Sequence, residues 1–580
     1  MTNALVSSRR SPDPRAAGQT LTFGYEPIGG RLTSLTAPTG TATYGYESGT
    51  SRLASVTAPG ASLAYGCDGS LLRSETWSGT VAGAVAWTYD PDFRMTGETV
   101  RNGSGVTFGY DNDGLLMSAG ATTVTRATAT GLLTSSAVGA VATGFSYNGF
   151  GELTSHATTI GGTPVYSAGL ARDAGGRISQ QSETLAGVPT VDAYGYDLAG
   201  RLQTVTRNGV LVVTYGYDAN GNRNAVTTAG GTTAGTFDAQ DRIQTFGTRT
   251  YTHTPHGDVA AWTDSATSTA TTLTYDVQGN LRQVQQPGTT ITYTVDGRNR
   301  RIGTAVNGVP VQGFLWQGQL RPVAELDGSG ALVSRFVYGT RINVPEYVVK
   351  NGTTYRIVTD HLGSVRLVVD TTTNQVVQAL AYDPWGVVVQ DTNPGFQPFG
   401  YAGGLYDWQT GLVRFGVRDY DATIGRWLAK DPIGFSGGDA SIYAYALGSP
   451  VGNADPSGLD VRVYFQPIVG RGKLVELARA KHSVLRLTTD TFDFAVEIWG
   501  PEEGANRGRP RISLFHERGL EGAGSSAVTA PNACYGSPYG FENALLAEFL
   551  RYGRMWAKGC EVSRDTVCRD LPVDELYDFL

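Results

Sequence analysis

Lysine is nearly missing from this 580-residue chain: only five of its 45 basic residues are lysines. The arginine skew reads as the mark of a GC-rich genome. Charge of either sign is sparse at 17%, and the net charge of -7 excludes a dedicated nucleic-acid binder. Cysteine is rare as well. Cys67, Cys534, Cys560 and Cys568 are too few to staple a chain of this length. None of them forms a C-x-x-C pair, which argues against a structural zinc site. No run of about 18 apolar residues occurs, so no membrane-spanning helix is expected. The opening MTNALVSSRRSPDPRAAG has no apolar core of a signal peptide, so any export would need another device.

What is abundant is glycine, 77 residues, together with 29 tyrosines and many threonines, a strand-and-turn composition. These residues are organised as a repeat. TFGYEPIGGRLTSLT begins at Thr22, ATYGYESGTSRLASVT at Ala42 and TFGYDNDGLLMSAG at Thr107. AYGYDLAGRLQTVT follows from Ala193, TYGYDANGNRNAVT from Thr214 and TLTYDVQGNLRQVQ from Thr272. Tyr25 to Tyr46, Tyr89 to Tyr110 and Tyr196 to Tyr217 are each separated by 21 residues. Every unit reads strand, Tyr-Asp, a glycine or asparagine turn, then Arg-Leu or Asn-Leu opening the next strand. The pattern predicts successive β-hairpins, which need neighbours because one hairpin cannot bury its apolar face alone. The tyrosine of each unit is expected to stack on its neighbour and to keep its hydroxyl at a wet edge.

The Tyr-Asp-x-x-Gly-Arg-Leu repeat over roughly residues 20–350 resembles the YD (RHS) repeat of bacterial RHS proteins, toxin-complex shells and teneurins. The resemblance implies a mainly β fold: a spiral of hairpins forming a shell, closed by an RHS-associated core and followed by a small α+β effector domain. The implied division is a leader at 1–19, repeats at 20–354, core at 355–459 and tail at 460–580. YRIVTDHLGSVRLVVD (355–370), YDPWG (382–386), the stretch at 399–435 and YAYALGSPVGNADPSGL (443–459) all resemble that core. The array is short for a closed shell, so the chain is expected to be a truncated or C-terminal part of something longer.

In the resembled family the chain cuts itself after the leucine of D-P-x-G-L, here between Leu459 and Asp460. The composition changes at the same point: charged residues are about one in seven before Asp460 and about one in four after it. Peptide hydrolysis needs an activated water, a proton for the leaving amine and a stabilised oxyanion. The resemblance assigns these roles to Asp419 and Asp431 as the acid/base pair, in either order, with Arg418 holding a carboxylate or the oxyanion. Asp455, Pro456 and Gly458 shape the turn presenting Leu459. No metal or cofactor is implied for this step. His361 is read as a packing and hydrogen-bonding residue.

The tail reads as a separate α+β domain. KLVELARA (473–480) and ENALLAEFLRYGRMWAKG (542–559) have helical spacing, and KHSVLRLTTD with TFDFAVEIWGP alternates as a hairpin. His482 ahead of a strand and Cys534 ahead of a helix resemble, weakly, permuted papain-like hydrolases. A nuclease built on Glu497, Glu502, Glu503 and His516, with the arginines of NRGRPR (506–511), competes with that reading. So does a tail that only binds its target. The leading expectation is a polymorphic toxin that encloses its own C-terminal fragment and has a cognate immunity protein. It would be secreted or delivered by a bacterial secretion system, and its target macromolecule is left open. A surface recognition or adhesion protein is the alternative.

Overall fold

The computed structural model describes residues 21–459 apart from 70, 104, 438 and 440, and the backbone of strands at Val6–Arg9, Arg462–Val463, Ser483–Thr488, Asp493–Trp499 and Arg511–His516. Two compact units are present: residues 1–125 with 133–467, and residues 126–132 with 468–580.

The first unit is a long antiparallel meander. Strands from Val6–Arg9 to Val388–Asp391 join one 37-stranded sheet, in which sequence neighbours pair through hairpins. The hairpins run on through the segment 355–391, so the architecture changes only after Asp391. There a four-stranded sheet takes over: Leu405–Asp407, Leu412–Phe415, Arg418–Asp421 and Arg426–Trp427. Among the described residues there is no α-helix, only short 3-10 turns such as Tyr401–Gly403.

One repeat explains the rest. In YDLAGRL, the Asp197 carboxylate accepts backbone N–H groups of Ala199 and Arg201 through Oδ1, at 3.0 and 2.9 Å. Its Oδ2 accepts Arg201 Nε at 2.7 Å. A bulge at Gly195/Tyr196 bends the incoming strand into this turn. The Arg201 guanidinium then lies 4.5 Å from the centre of the Tyr217 ring one repeat later. The Tyr217 hydroxyl donates to the Leu202 carbonyl at 2.6 Å. Arg31 over Tyr46, Arg94 over Tyr110 and Arg177 over Tyr196 repeat the contact. The tyrosines therefore do not stack on one another. In these four units the tyrosine lies beneath the preceding repeat's arginine, with its hydroxyl donating to backbone, a cation–π contact worth about 0.5–1 kcal/mol per unit.

The meander also returns on itself. Leu63, Trp77 and Val85 share one core with Ile302, Leu315, Val323, Phe336 and Val365, more than 200 residues later. Buried polar groups lock the same seam: Trp77 Nε1 donates to Asp296 at 3.3 Å, and Arg300 pairs with Glu75 at 2.9 Å.

His156 is buried between Phe145 and Tyr166, with no hydrogen-bond partner on either ring nitrogen. Burial pulls its pKa down to about 3. The folded protein thus refuses a proton that the unfolded chain accepts below about 6.5. Stability from this site is complete above that pH and is lost as pH falls through the window from about 6.5 to about 3. We expect His156→Phe to flatten the acid side of the stability curve by about 1.4 kcal/mol per pH unit in that window, read by urea unfolding between pH 4 and 7.

Candidate functional site

Two turns of one chemical type meet on a single arginine. DPIGF (431–435) and DPSGL (455–459) both follow the repeat pattern Asp-x-x-Gly-x, but with phenylalanine and leucine where repeats such as YDLAGRL place arginine. Asp431 Oδ1 accepts the N–H of Ile433 at 2.9 Å. Asp455 Oδ1 accepts the N–H of Gly458 at 2.8 Å, that of Leu459 at 3.1 Å, and the Ser457 hydroxyl at 2.9 Å. Gly458 adopts φ of 71°, and a Cβ there would lie 2.5 Å from the Phe415 carbonyl oxygen, so only glycine fits the turn.

Each turn lacks its own arginine, and Arg418 substitutes for both. Its Nη2 lies 2.8 Å from Asp431 Oδ2 and 3.1 Å from Asp455 Oδ2. Its Nε donates to the Gly458 carbonyl oxygen. The guanidinium packs 4.2 Å from the centre of the Trp427 ring. Arg418, Asp431 and Asp455 are all buried, their side chains 4%, 7% and 1% exposed, so bulk water does not screen the cluster. Burial raises the Asp455 carboxyl pKa against the pull of Arg418 and its hydrogen-bond donors, and it lowers that of Arg418.

Asp431 also reaches the chain beyond the turn. A Cβ built on Gly437 would sit 2.7 Å from Asp431 Oδ2 and 2.8 Å from the Leu459 carbonyl oxygen. The carboxyl and that carbonyl therefore border the same small space, which glycine keeps open.

Asp419 is not in this cluster. Successive strand residues point to opposite faces, so the strand Arg418–Asp421 sends Arg418 one way and Asp419 the other. Asp419 Oδ1 takes Arg301 Nη2 at 2.8 Å and Oδ2 takes Arg414 Nη1 at 2.8 Å, both buried. The carboxylates the structure brings together are Asp431 and Asp455, not Asp431 and Asp419. Period-2 alternation would have separated Arg418 from Asp419 in the sequence alone. The second partner, Asp455, is 37 residues from Arg418 and showed itself there only as a turn former.

His361 fits its expected role: buried, its Nε2 bonded to the Val451 carbonyl at 2.8 Å. Burial lowers its pKa. Asp460, His482, Cys534, Glu502 and Glu503 lie outside the described residues. In the second unit the expected hairpin is present, with Ser483–Thr488 paired antiparallel to Asp493–Trp499, and Arg511–His516 adds a third strand. Glu497 and His516 lie on these strands, and their side chains are outside the described residues. Both helix candidates of the tail lie outside them too. No group of acidic, histidine or cysteine side chains suited to a metal occurs among the described residues.

The hairpin repeat, its Asp-Arg-Tyr linkage and the closing core match a family model, Teneurin YD-shell, over residues 10–438. The chain belongs to that family. It is a YD-repeat (RHS) shell protein. It is 31% identical to Teneurin-1 of Gallus gallus over 246 residues, 41% of this chain and 9% of that protein. It is 26% identical to the tRNA3(Ser)-specific nuclease WapA of Bacillus spizizenii over 275 residues, 45% of this chain and 12% of that one. Among solved structures, the Tc holotoxin pore of Photorhabdus luminescens shares the fold. Its TM-score is 0.62 at 17% identity, covering 77% of this YD-shell chain and 26% of that chain. The matched region is thus about a tenth of the curated relatives and a quarter of the solved chain. No helix among the described residues is long and apolar enough to cross a membrane.

Removing the Asp455 carboxylate would leave the Arg418 guanidinium buried with one acid, and would leave the Gly458 and Leu459 N–H groups only their longer contacts, to the residue 455 carbonyl at 3.4 Å and the Ser457 hydroxyl at 3.2 Å. Asp455→Ala is expected to destabilise the first unit by about 3–5 kcal/mol, as a lower urea midpoint. Asp455→Asn, which keeps an acceptor oxygen, should lose less.

Proposed function

We propose that this YD-shell protein cuts its own chain between Leu459 and Asp460 and holds the released C-terminal fragment, residues 460–580, as a toxic effector. The observation that carries the cleavage reading is the Asp431 carboxyl bordering the same small space as the Leu459 carbonyl, with Arg418 shared between Asp431 and Asp455.

One cation among two buried carboxyl groups is neutral when one of the two keeps a proton. Asp455 Oδ1 is filled by three donors, and its Oδ2 faces Arg418. Asp431 shares Arg418 through Oδ2 but has a single turn donor on Oδ1, so we assign the proton to Asp431, where a protonated oxygen turned to the Leu459 carbonyl would donate to it. That donation polarises the carbonyl and relieves the oxyanion as water adds to the Leu459 carbon. The C–N bond to residue 460 then breaks. The leaving nitrogen takes one water proton, and Leu459 keeps the water oxygen as a carboxyl. Arg418 holds Asp455 ionised and, through the Gly458 carbonyl, fixes the residue before the scissile bond. Asp419, with both oxygens occupied by Arg301 and Arg414, takes no proton in this scheme.

A shell fold shared with the Tc holotoxin pore supports delivery of the tail as a toxin, with an immunity protein guarding the producing cell. The name of the relative WapA favours RNA as the first substrate to try for the tail. His482 and Cys534 serve the competing hydrolase reading.

Asp431→Asn retains size and removes the transferable proton, so the purified protein should run as one intact chain of 61 kDa, whereas the wild type yields a fragment whose mass starts at Asp460. Gly437→Ala should slow the cut at least tenfold by wedging Asp431 from Leu459. Normal processing of Asp431→Asn would remove Asp431 from the chemistry. Residues 460–580 expressed alone should arrest growth, and degraded RNA in the arrested cells would select the nuclease reading. Arrest with intact RNA that is abolished by His482→Ala or Cys534→Ser would select the hydrolase.

A further inference from the structure

Asp419 is buried and fully occupied, yet it is adjacent in the strand to the arginine on which the candidate cleavage site depends. Its two partners come from different parts of the chain. Arg414 is its cross-strand neighbour in the core sheet. Arg301 opens the strand Arg301–Val306, inside the hairpin array.

Each partner is itself anchored in the repeats. The Arg301 guanidinium lies 3.6 Å from the centre of the Tyr293 ring, and the Tyr293 hydroxyl donates to Asp407 at 2.5 Å. Arg414 Nη2 donates to Asn280 Oδ1 at 3.1 Å, and Asn280 occupies the arginine position of the turn opened by Asp276. All of these side chains are wholly or largely buried. The strand Arg418–Asp421 is therefore pinned from behind by repeat residues, while its front face carries the arginine that orders both turns. With Asp419 released, the strand is free to twist, and a small rotation is magnified at the tip of so long a side chain as Arg418.

We propose that Arg301 is a positioning residue for self-cleavage: through Asp419 it fixes the strand that aims Arg418, so the cut waits until the hairpins around Arg301 have docked on the core. This rests on the self-cleavage reading above. It gives Asp419 a role that needs no proton transfer, and it makes processing report on completed folding, so that the tail is not released from a half-built array.

The test is the rate at which denatured full-length precursor, refolded by dilution, cuts itself, followed on gels. The precursor is obtained by synthesis under denaturing conditions. Arg301→Gln should fold, shown by a cooperative melt and a β circular dichroism spectrum, and should cut at least tenfold more slowly than wild type. Arg301→Lys, which keeps the charge beside Asp419, should recover a substantial part of the rate. Arg300→Gln is the control. Arg300 is equally buried and paired to Asp296 and Glu75, with no bond to Asp419. It should lower the melting temperature without slowing the cut of folded protein. A folded Arg301→Gln chain cutting at the wild-type rate overturns the proposal, and so does an equal slowing in Arg300→Gln. If Arg301→Gln gives no soluble chain, Tyr293→Leu removes the ring beneath Arg301 and leaves the ion pair's atoms in place. Slowed cutting there supports the proposal, and the wild-type rate overturns it. A wild type that never cuts defeats the cleavage reading itself, a result distinguishable from all of these.

Discussion

An aspartate oxygen that accepts two backbone N–H groups of its own turn is the interaction on which this structure rests. It recurs at Asp90, Asp111, Asp173, Asp197, Asp218, Asp238, Asp276, Asp296 and Asp327. The carboxylate satisfies donors that a tight turn would otherwise strand. Its second oxygen is then free to hold an arginine, and the arginine caps the next tyrosine. Local turn chemistry thereby becomes a contact between repeats, and a chain poor in charge spends much of its charge on this one device.

The candidate cleavage site is that device with one part changed. In five of these nine turns the aspartate has an arginine four residues on, as Asp197 has Arg201; Asp111, Asp218, Asp276 and Asp327 have Leu115, Asn222, Asn280 and Ala331 there. At Asp431 and Asp455 the fifth position is Phe435 and Leu459, and one arginine from a distant strand serves two acids. A repeat turn with its own arginine is balanced, one acid to one base, and is inert. The site has an acid in excess, held out of water beside a peptide carbonyl. On the proposed cleavage reading, the step from scaffold to chemistry needs no new fold, only two turns without an arginine of their own that share Arg418.

Much of this was legible in the residues because it is local. The spacing of Tyr-Asp-x-x-Gly predicted hairpins and turns, and Asp455-Pro456-Ser457-Gly458 was readable as the turn presenting Leu459. What failed was the partnership of side chains over distance. The tyrosines were expected to stack on one another, but an arginine at hydrogen-bonding distance from its aspartate offers the ring a better face. The family resemblance paired Asp419 with Asp431, whereas in the structure Asp419 sits on the opposite strand face from Arg418, between Arg301 and Arg414. The hairpins continue through 355–391, within the segment read as the core, and the architecture changes after Asp391.

The two faces of the strand Arg418–Asp421 also explain how conditions on a site and conditions on a scaffold can be met by neighbouring residues. On one side a carboxylate is balanced by two arginines, Arg301 and Arg414; on the other an arginine is balanced by two carboxyls, Asp431 and Asp455. The first cluster has cation to spare and no ionisable hydrogen to give, which suits a clamp. The second has a proton to place and a carbonyl to place it on, which suits catalysis. Because the strand is too short to bend between them, rigidity on the first face is delivered directly to geometry on the second. If the site cleaves as proposed, its precision is borrowed from the packing of the repeats.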